Sequence, residues 1–117
     1  MADLLVDTDV FIDHLRGAHR LRTDMADQVW YSVVTRCELL AGSSVDEGVV
    51  DTLLGAFREV PIDRAVAERA GRLRREVGIR TADALISASA LERGAALLTR
   101  NFRDFQPVPG LTVVAPA

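Results

Sequence analysis

The sequence predicts an α/β domain built on a central, mostly parallel β-sheet that helices cover on both faces. Three observations carry that expectation. Short apolar or β-branched runs alternate with helical patterns along the whole chain, the order of repeated strand–helix units. Several helical stretches are bracketed by a capping side chain and a terminal glycine. Acidic residues collect just after the strand-like runs, where open α/β sheets bind their ligands.

Leu4-Leu5-Val6 reads as a short buried strand. Val10, Phe11 and Leu15 then suit a short helix over Val10 to Leu15, ended by Gly17. Residues 28 to 34, QVWYSVV, are β-branched and aromatic and predict a second strand. It runs into TRCELLAG, where Thr35 is the expected cap and Gly42 the stop of a helix. From Val49 to Phe57 the chain is amphipathic, with Val49, Val50, Leu53, Leu54 and Phe57 on one face. Glu59 to Ile62 fits a short strand or a connector. Asp63 caps the helix DRAVAERAGRLRREVG, with Gly78 as its stop, and Thr81 starts TADALISASALERG, stopped by Gly94. AALLT, residues 95 to 99, is a strand, and LTVVAP supplies the last one.

With 117 residues the chain is long enough for one core and too short for two, so a single domain over 1–117 is expected. Nearly half of it is hydrophobic (49 %) and 26 % is charged, the balance of a folded globular protein. No stretch approaches the roughly eighteen apolar residues of a membrane span, and the N-terminus lacks a basic-then-apolar leader. A cytoplasmic location away from membranes is the resulting expectation. The single cysteine, Cys37, allows no internal disulfide and is expected to be a small buried residue. A net charge of −3 argues against a strongly basic nucleic-acid binder. Every basic residue is arginine, which suits bidentate contacts to phosphate and excludes chemistries that need a lysine.

Four acidic positions fall at strand ends or early in the helices that follow. Asp7 closes the first strand, Glu38 lies one helical turn past the second, Asp83 sits in the first turn of TADALISASA, and Asp104 follows AALLT in LLTRNFRDF, near Asn101. Each has an ordinary explanation: a helix cap for Asp7 or Asp9, a solvent-facing helix residue for Glu38, the helix dipole for Asp83, an arginine partner for Asp104. The helix behind Asp83 is small and apolar nearly all round, so capping alone explains that carboxylate poorly. A parallel sheet could gather all four at one edge. Clustered carboxylates repel one another unless a cation compensates, and magnesium, an oxygen-seeking ion that keeps several waters, does so naturally. Zinc does not fit, because His14 and His19 share no ligand spacing with Cys37.

The ordered set LLVDTDVFID, YSVVTRCELLAG, TADALISASALERGAALLTRNFRDF and VPGLTVV resembles PIN-domain proteins of the VapC toxin type over nearly the whole chain. Only residues 43 to 70 are generic. The resemblance implies a three-layer α/β/α fold and a magnesium-dependent endoribonuclease, with manganese as a substitute. It also implies a cognate VapB-like antitoxin, an RNA substrate and a homodimer. Carried over by motif, the catalytic acids are Asp7, Glu38, Asp83 and Asp104, with Asp7 and Asp83 on the metal and Asn101 the competitor for the fourth position. Asp9 stands where the family commonly has asparagine, Asp13 is expected on the helix surface, and Thr8, Ser32 and Thr35 are candidate supporting donors.

Two rival readings remain. A phosphatase with a DxD motif shares VDTDVF but places Thr or Val where this chain has Phe11, and needs further acids. A PIN fold acting only by binding, without cleavage, would keep the same acids. For RNA contact the sequence offers Arg80, Arg100 and Arg103 beside the acids, whereas Arg72, Arg74 and Arg75 read as a solvated helix face. The Val49–Phe57 face, with Leu21 and Met25, suits either core packing or a partner.

Overall fold

The computed structural model describes residues 3–24 and 26–116. Its elements, in chain order, are β1 (Leu4–Val6), α1 (Thr8–Leu15), β2 (Val29–Ser32), α2 (Val33–Leu40), α3 (Glu47–Leu54), β3 (Arg58–Val60), α4 (Arg64–Val77), α5 (Thr81–Arg93), β4 (Ala96–Leu98), α6 (Phe102–Phe105) and β5 (Val113–Val114). The five strands form one sheet in the order β3-β2-β1-β4-β5, and every pairing is parallel. The chain leaves β1 towards β2 and β3, then returns to the other side of β1 with β4 and β5. β1 and β4 therefore flank the point at which strand order reverses, and the carboxyl ends of these two strands open onto the crevice where such sheets bind ligands.

Strand residues alternate between two apolar layers, which makes the fold three-layered. Val6, Tyr31 and Leu98 face Val10, Phe11, Leu39, Val50 and Leu54 from α1, α2 and α3. Leu5, Val60 and Leu97 face Ile86 and Ala90 of α5. On its far side α5 offers Ala84 and Ala88 to Val66, Ala70 and Leu73 of α4. That double contact explains why α5 is small and apolar all round: small residues let α4 approach on one side while Ile86 fills the sheet side. No helix among the described residues is long and apolar enough to cross a membrane.

The boundaries differ from the sequence expectation where a cap decides them. α1 begins at Thr8 rather than Val10, with Asp7 as its cap. The second strand stops at Ser32 instead of continuing to residue 34, and Ser32, not Thr35, caps α2 by accepting from the Val34 amide. Val33 and Val34 thus enter a helix despite their β propensity, because a buried hydroxyl closes the first turn and Val34 packs against the α5 layer. α3 ends at Leu54, short of Phe57, and Arg58–Val60 is a true strand. α4 and α5 match their predicted limits, with Gly78 and Gly94 left-handed at their ends. The short α6 was not foreseen.

The amphipathic face serves mainly the core. Val50 and Leu54 are buried, Leu21, Leu53 and Phe57 pack against the same cluster, and Val49 is exposed; Met25 lies outside the described residues. Cys37 is exposed, against expectation, because α2 turns Leu39 inward and Cys37 outward. On the outer face of α2, Arg36 donates to Glu59, Asp51 and the Tyr31 hydroxyl, tying α2 to β3, α3 and β2 and fixing the helix that carries Glu38.

Ser32→Ala removes the α2 cap in a fully buried place. It is expected to lower unfolding free energy by about 0.5–2 kcal/mol in urea titration, whereas a loss confined to Thr35→Ala would restore Thr35 as the cap.

Candidate active site

Asp7 stands one residue past β1, and Thr99 one residue past β4. Because β1 and β4 are paired neighbours, their ends bring these residues together across the crevice. Asp7 accepts from the Thr8 amide at 2.8 Å through Oδ1 and from the Thr99 hydroxyl at 2.8 Å through Oδ2. The cap is real, yet it satisfies only one oxygen; the second is held from the opposite side of the reversal point. Asp7 and Thr99 are both buried.

Thr8 links the next acid. Its hydroxyl donates to Glu38 Oε1 at 2.6 Å and lies 2.9 Å from the Thr35 hydroxyl. A hydroxyl has one proton to give, so once Thr8 donates to Glu38, Thr35 must donate to Thr8. Thr35 is fully buried on the face of α2 that Glu38 shares, three residues earlier, and it supports this short chain from below. Glu38 itself is exposed: one oxygen is fixed by Thr8, and no hydrogen bond among the described residues holds the other.

Asp83, in the first turn of α5, is buried and lies close enough to Asp7 for its charge to raise the Asp7 pKa. Asp9 raises it more strongly. Its Oδ2 accepts from the Arg100 amide at 3.2 Å and touches the Thr99 hydroxyl at 3.4 Å, while its Oδ1 is buried with no hydrogen-bond partner. The electrostatic consequence is large. Burial first, then the Asp9 charge, push the Asp7 carboxyl up to about 7, against the opposing hydrogen bonds from Thr99 and Thr8. Burial also raises Asp9, against the amides of Arg100 and Val10. Helix dipole and hydrogen bonds together do not compensate for taking these carboxylates out of water.

The structure thus gathers Asp7, Asp9 and Asp83, and joins Glu38 to them through Thr8. Asp104 is different. It sits exposed on α6, accepting from the Asn101 side-chain amide at 2.6 Å, and no hydrogen bond or ion pair among the described residues connects it to the other three. Asp13 is not a free surface charge: it is half-buried and ion-paired with Arg100. Arg80 pairs with Asp83 at 3.4 Å while remaining largely exposed. Two of the three arginines expected to face RNA are therefore engaged by acids, and only Arg103 is left without an ion pair among the described residues. Sequence reasoning missed Thr99. The signal was present, since a polar residue directly after a buried strand at the reversal point is poorly explained by packing.

Among the described residues no three Asp, Glu, His or Cys side chains stand as a ready-made ligand cluster. The donor chemistry nevertheless fits a hard divalent cation. The groups are all oxygens, three of them carboxylates with Glu38 a fourth at the edge, and one buried oxygen of Asp9 has no hydrogen-bond partner among the described residues. Magnesium commonly takes only one or two carboxylates and completes its shell with water and substrate phosphate.

Comparison with known proteins agrees with this architecture. The PIN domain model matches residues 4–111. Ribonuclease VapC19 of Mycobacterium tuberculosis is 33 % identical over 119 aligned residues, covering 92 % of this chain and 95 % of that protein. Ribonuclease VapC10 of the same species is 34 % identical, covering 87 % and 85 %. A toxin–antitoxin complex from Klebsiella pneumoniae contains a chain of 30 % identity that superposes with a TM-score of 0.80, over 94 % of this chain and 96 % of that one. With its all-parallel 3-2-1-4-5 sheet and its acids at the reversal point, the chain belongs to the PIN-domain family, in its VapC branch.

Proposed function

We propose that this protein is a magnesium-dependent endoribonuclease that hydrolyses RNA phosphodiester bonds, with manganese as a working substitute, and that it acts as the toxin of a pair held in check by a VapB-like antitoxin. The observation that carries the reading is the carboxylate group at the reversal point of the sheet, with Asp7 and Asp83 buried, Asp9 half-buried, and no cationic side chain on Asp7 or Asp9 among the described residues. The ribonuclease relatives and the toxin–antitoxin neighbour support the substrate class and the kind of partner.

In this reading Asp7 and Asp83 hold the cation, with Asp9 beside them. The bound ion supplies charge against the phosphate oxygens and lowers the pKa of water. Glu38 takes the proton of the attacking water. Its Oε1 is fixed by Thr8, which leaves Oε2 as the acceptor, and an exposed carboxylate can pass that proton on to solvent. Thr99 keeps Asp7 turned towards the crevice by holding Oδ2. Asp104, with Asn101 as its hydrogen-bonded neighbour, is assigned the fourth position on the motif.

Purified protein, free of any partner, should cut a mixed structured RNA pool in magnesium and not in EDTA. Asp83→Asn should lower cleavage by about a hundredfold or more while leaving the fold intact. Cleavage that survives this substitution would move the cation site elsewhere. No cleavage by folded protein that binds magnesium would favour a binding module.

Thr8→Val keeps the shape and deletes the hydroxyl. It should reduce the turnover rate by about 10- to 100-fold with little change in KM, and Thr8→Ser should recover most of the loss. Equal losses in both variants would mean that packing, not the bond to Glu38, is what Thr8 provides.

The raised Asp7 pKa sets a pH dependence. Between the ordinary value of 3.8 and about 7, the unfolded chain has released the Asp7 proton and the folded protein still holds it. Unfolding free energy of cation-free protein should therefore fall as pH rises across this window. Asp7→Asn should flatten the slope. Magnesium competes with that proton, so its stabilising effect on the melting temperature should be larger near about pH 8 than near about pH 5.5. Identical increments at the two values would argue against a carboxylate-held ion.

A further inference from the structure

The arginines that the sequence places beside the acids are largely committed, Arg80 to Asp83 and Arg100 to Asp13. Uncommitted positive charge is concentrated elsewhere. Residues 14 to 22, HLRGAHRLR, contain three arginines and two histidines and no acid, in a protein whose net charge is −3. No ion pair among the described residues involves Arg16, Arg20 or Arg22, and all three are exposed. The segment is nevertheless anchored. Gly17 takes the left-handed conformation that ends α1, at φ 73°. The amides of Ala18 and His19 bond back to the Asp13 carbonyl, and the Leu21 amide donates to His14 Nδ1 at 3.0 Å. Leu21 packs against the core.

This folding-back brings the segment against residues next in sequence to Asp9 and Thr99. Arg20 and Arg22 line one wall of a small pocket whose other wall includes Val10, Leu98 and Arg100, neighbours in sequence of Asp9 and Thr99. Arg16 lines a separate groove that also contains Glu38. α1 carries acids at its start and arginine at its end, about 12 Å apart at 1.5 Å per residue. A cation in the last turn of a helix is favoured by the dipole, which accounts for Arg16 and leaves Arg20 and Arg22, beyond the helix, without an ion pair among the described residues.

We propose that Arg20 and Arg22, with Arg16, form the phosphate-binding ridge over which the RNA strand reaches the acid crevice. The inference rests on the ribonuclease reading and names the substrate surface of that site. Guanidinium groups match phosphate oxygens in paired hydrogen bonds, and a ridge set off from the crevice holds the strand without neutralising Asp7 and Asp9. The binding is sequence-independent and positions the backbone; any base selectivity belongs to other surfaces.

The test compares wild type, Arg20→Ala/Arg22→Ala and, as a control on the outer helix, Arg72→Ala/Arg75→Ala. Anisotropy of a short fluorescein-labelled single-stranded RNA in EDTA reads phosphate contact apart from any cation. The ridge variant should bind roughly tenfold more weakly, with a salt dependence shallower by about 1.4 in log–log slope, while the control matches wild type. In magnesium the ridge variant should show a raised KM and an unchanged turnover rate. Equal binding and equal KM in ridge variant and wild type would overturn the proposal while leaving the nuclease reading intact. Arginine-dependent binding by a wild-type protein that never cleaves would do the reverse. A ridge variant that handles RNA normally but escapes its antitoxin would also overturn the proposal and assign the ridge to the protein partner.

Discussion

The fold turns on one physical difficulty: two carboxylates close in sequence, Asp7 buried and Asp9 half-buried, are placed at the carboxyl edge of the sheet where their access to water is cut. A helix cap is worth about 0.5–2 kcal/mol, and desolvating a carboxylate costs several kcal/mol even after relaxation. Burial wins that comparison, and the Asp7 carboxyl is pushed to about 7 in spite of two good hydrogen bonds. Much of the surrounding structure limits the cost without removing it. The Thr8 amide, the Thr99 hydroxyl and the Arg100 amide all point at these two side chains, and each comes from an element held by the β1–β4 pairing. Such a group is stable only while something positive is within reach, and the protein's own backbone dipoles provide part of it.

Sheet order is what turns an electrostatic cost into a site. Had β4 added beside β3, Thr99 and Asp7 would have ended on strands that are not neighbours, with no shared crevice. Because β4 pairs with β1 instead, the segments after both strands meet. The same arrangement sets α5 behind the sheet, with Ile86 and Ala90 against it, so that the first turn of α5 delivers Asp83 to the crevice. On the other side α2 is fastened by Arg36 to Glu59, Asp51 and Tyr31, which steadies Glu38 without using any residue of the site.

Much of this was legible in the sequence. Asp63 with Gly78 delimits α4, because a capping side chain and a left-handed glycine are local signals that tertiary context rarely overrides; α5 starts at Thr81 without a side-chain cap and stops at Gly94. The α/β class and the acids at strand ends followed from alternation and position. What was not legible depended on partners distant in sequence. Val33 and Val34 read as strand, and only burial of Ser32 reveals the helix they enter. Asp13 read as a surface charge until Arg100, nearly ninety residues later, closed on it. Thr99 looked like the end of a strand, and its role appears only when β4 lies against β1. Asp104 and Asn101 bond to each other on an exposed turn, so local spacing did not choose between them, and three-dimensional contact with the other acids does not single out either one.

The arrangement of arginines explains how a protein of net charge −3 can keep a cation site and still meet an anionic polymer. An arginine lodged on Asp7 or Asp9 would satisfy them permanently, at the strength of a buried charge-assisted bond, and would leave no role for an exchangeable ion. Here Asp9 receives the amide of Arg100 and not its guanidinium, which is drawn away to Asp13. Arg80 reaches only Asp83, from an exposed position and at 3.4 Å, a contact weak enough to yield to a divalent ion. The remaining charge of this side of the molecule is carried on Arg16, Arg20 and Arg22, beyond the end of α1. In the proposed reading, separation by one short helix lets both requirements hold: the acids remain in need of a small cation, and the phosphates of an RNA strand are met by guanidinium groups about 12 Å away.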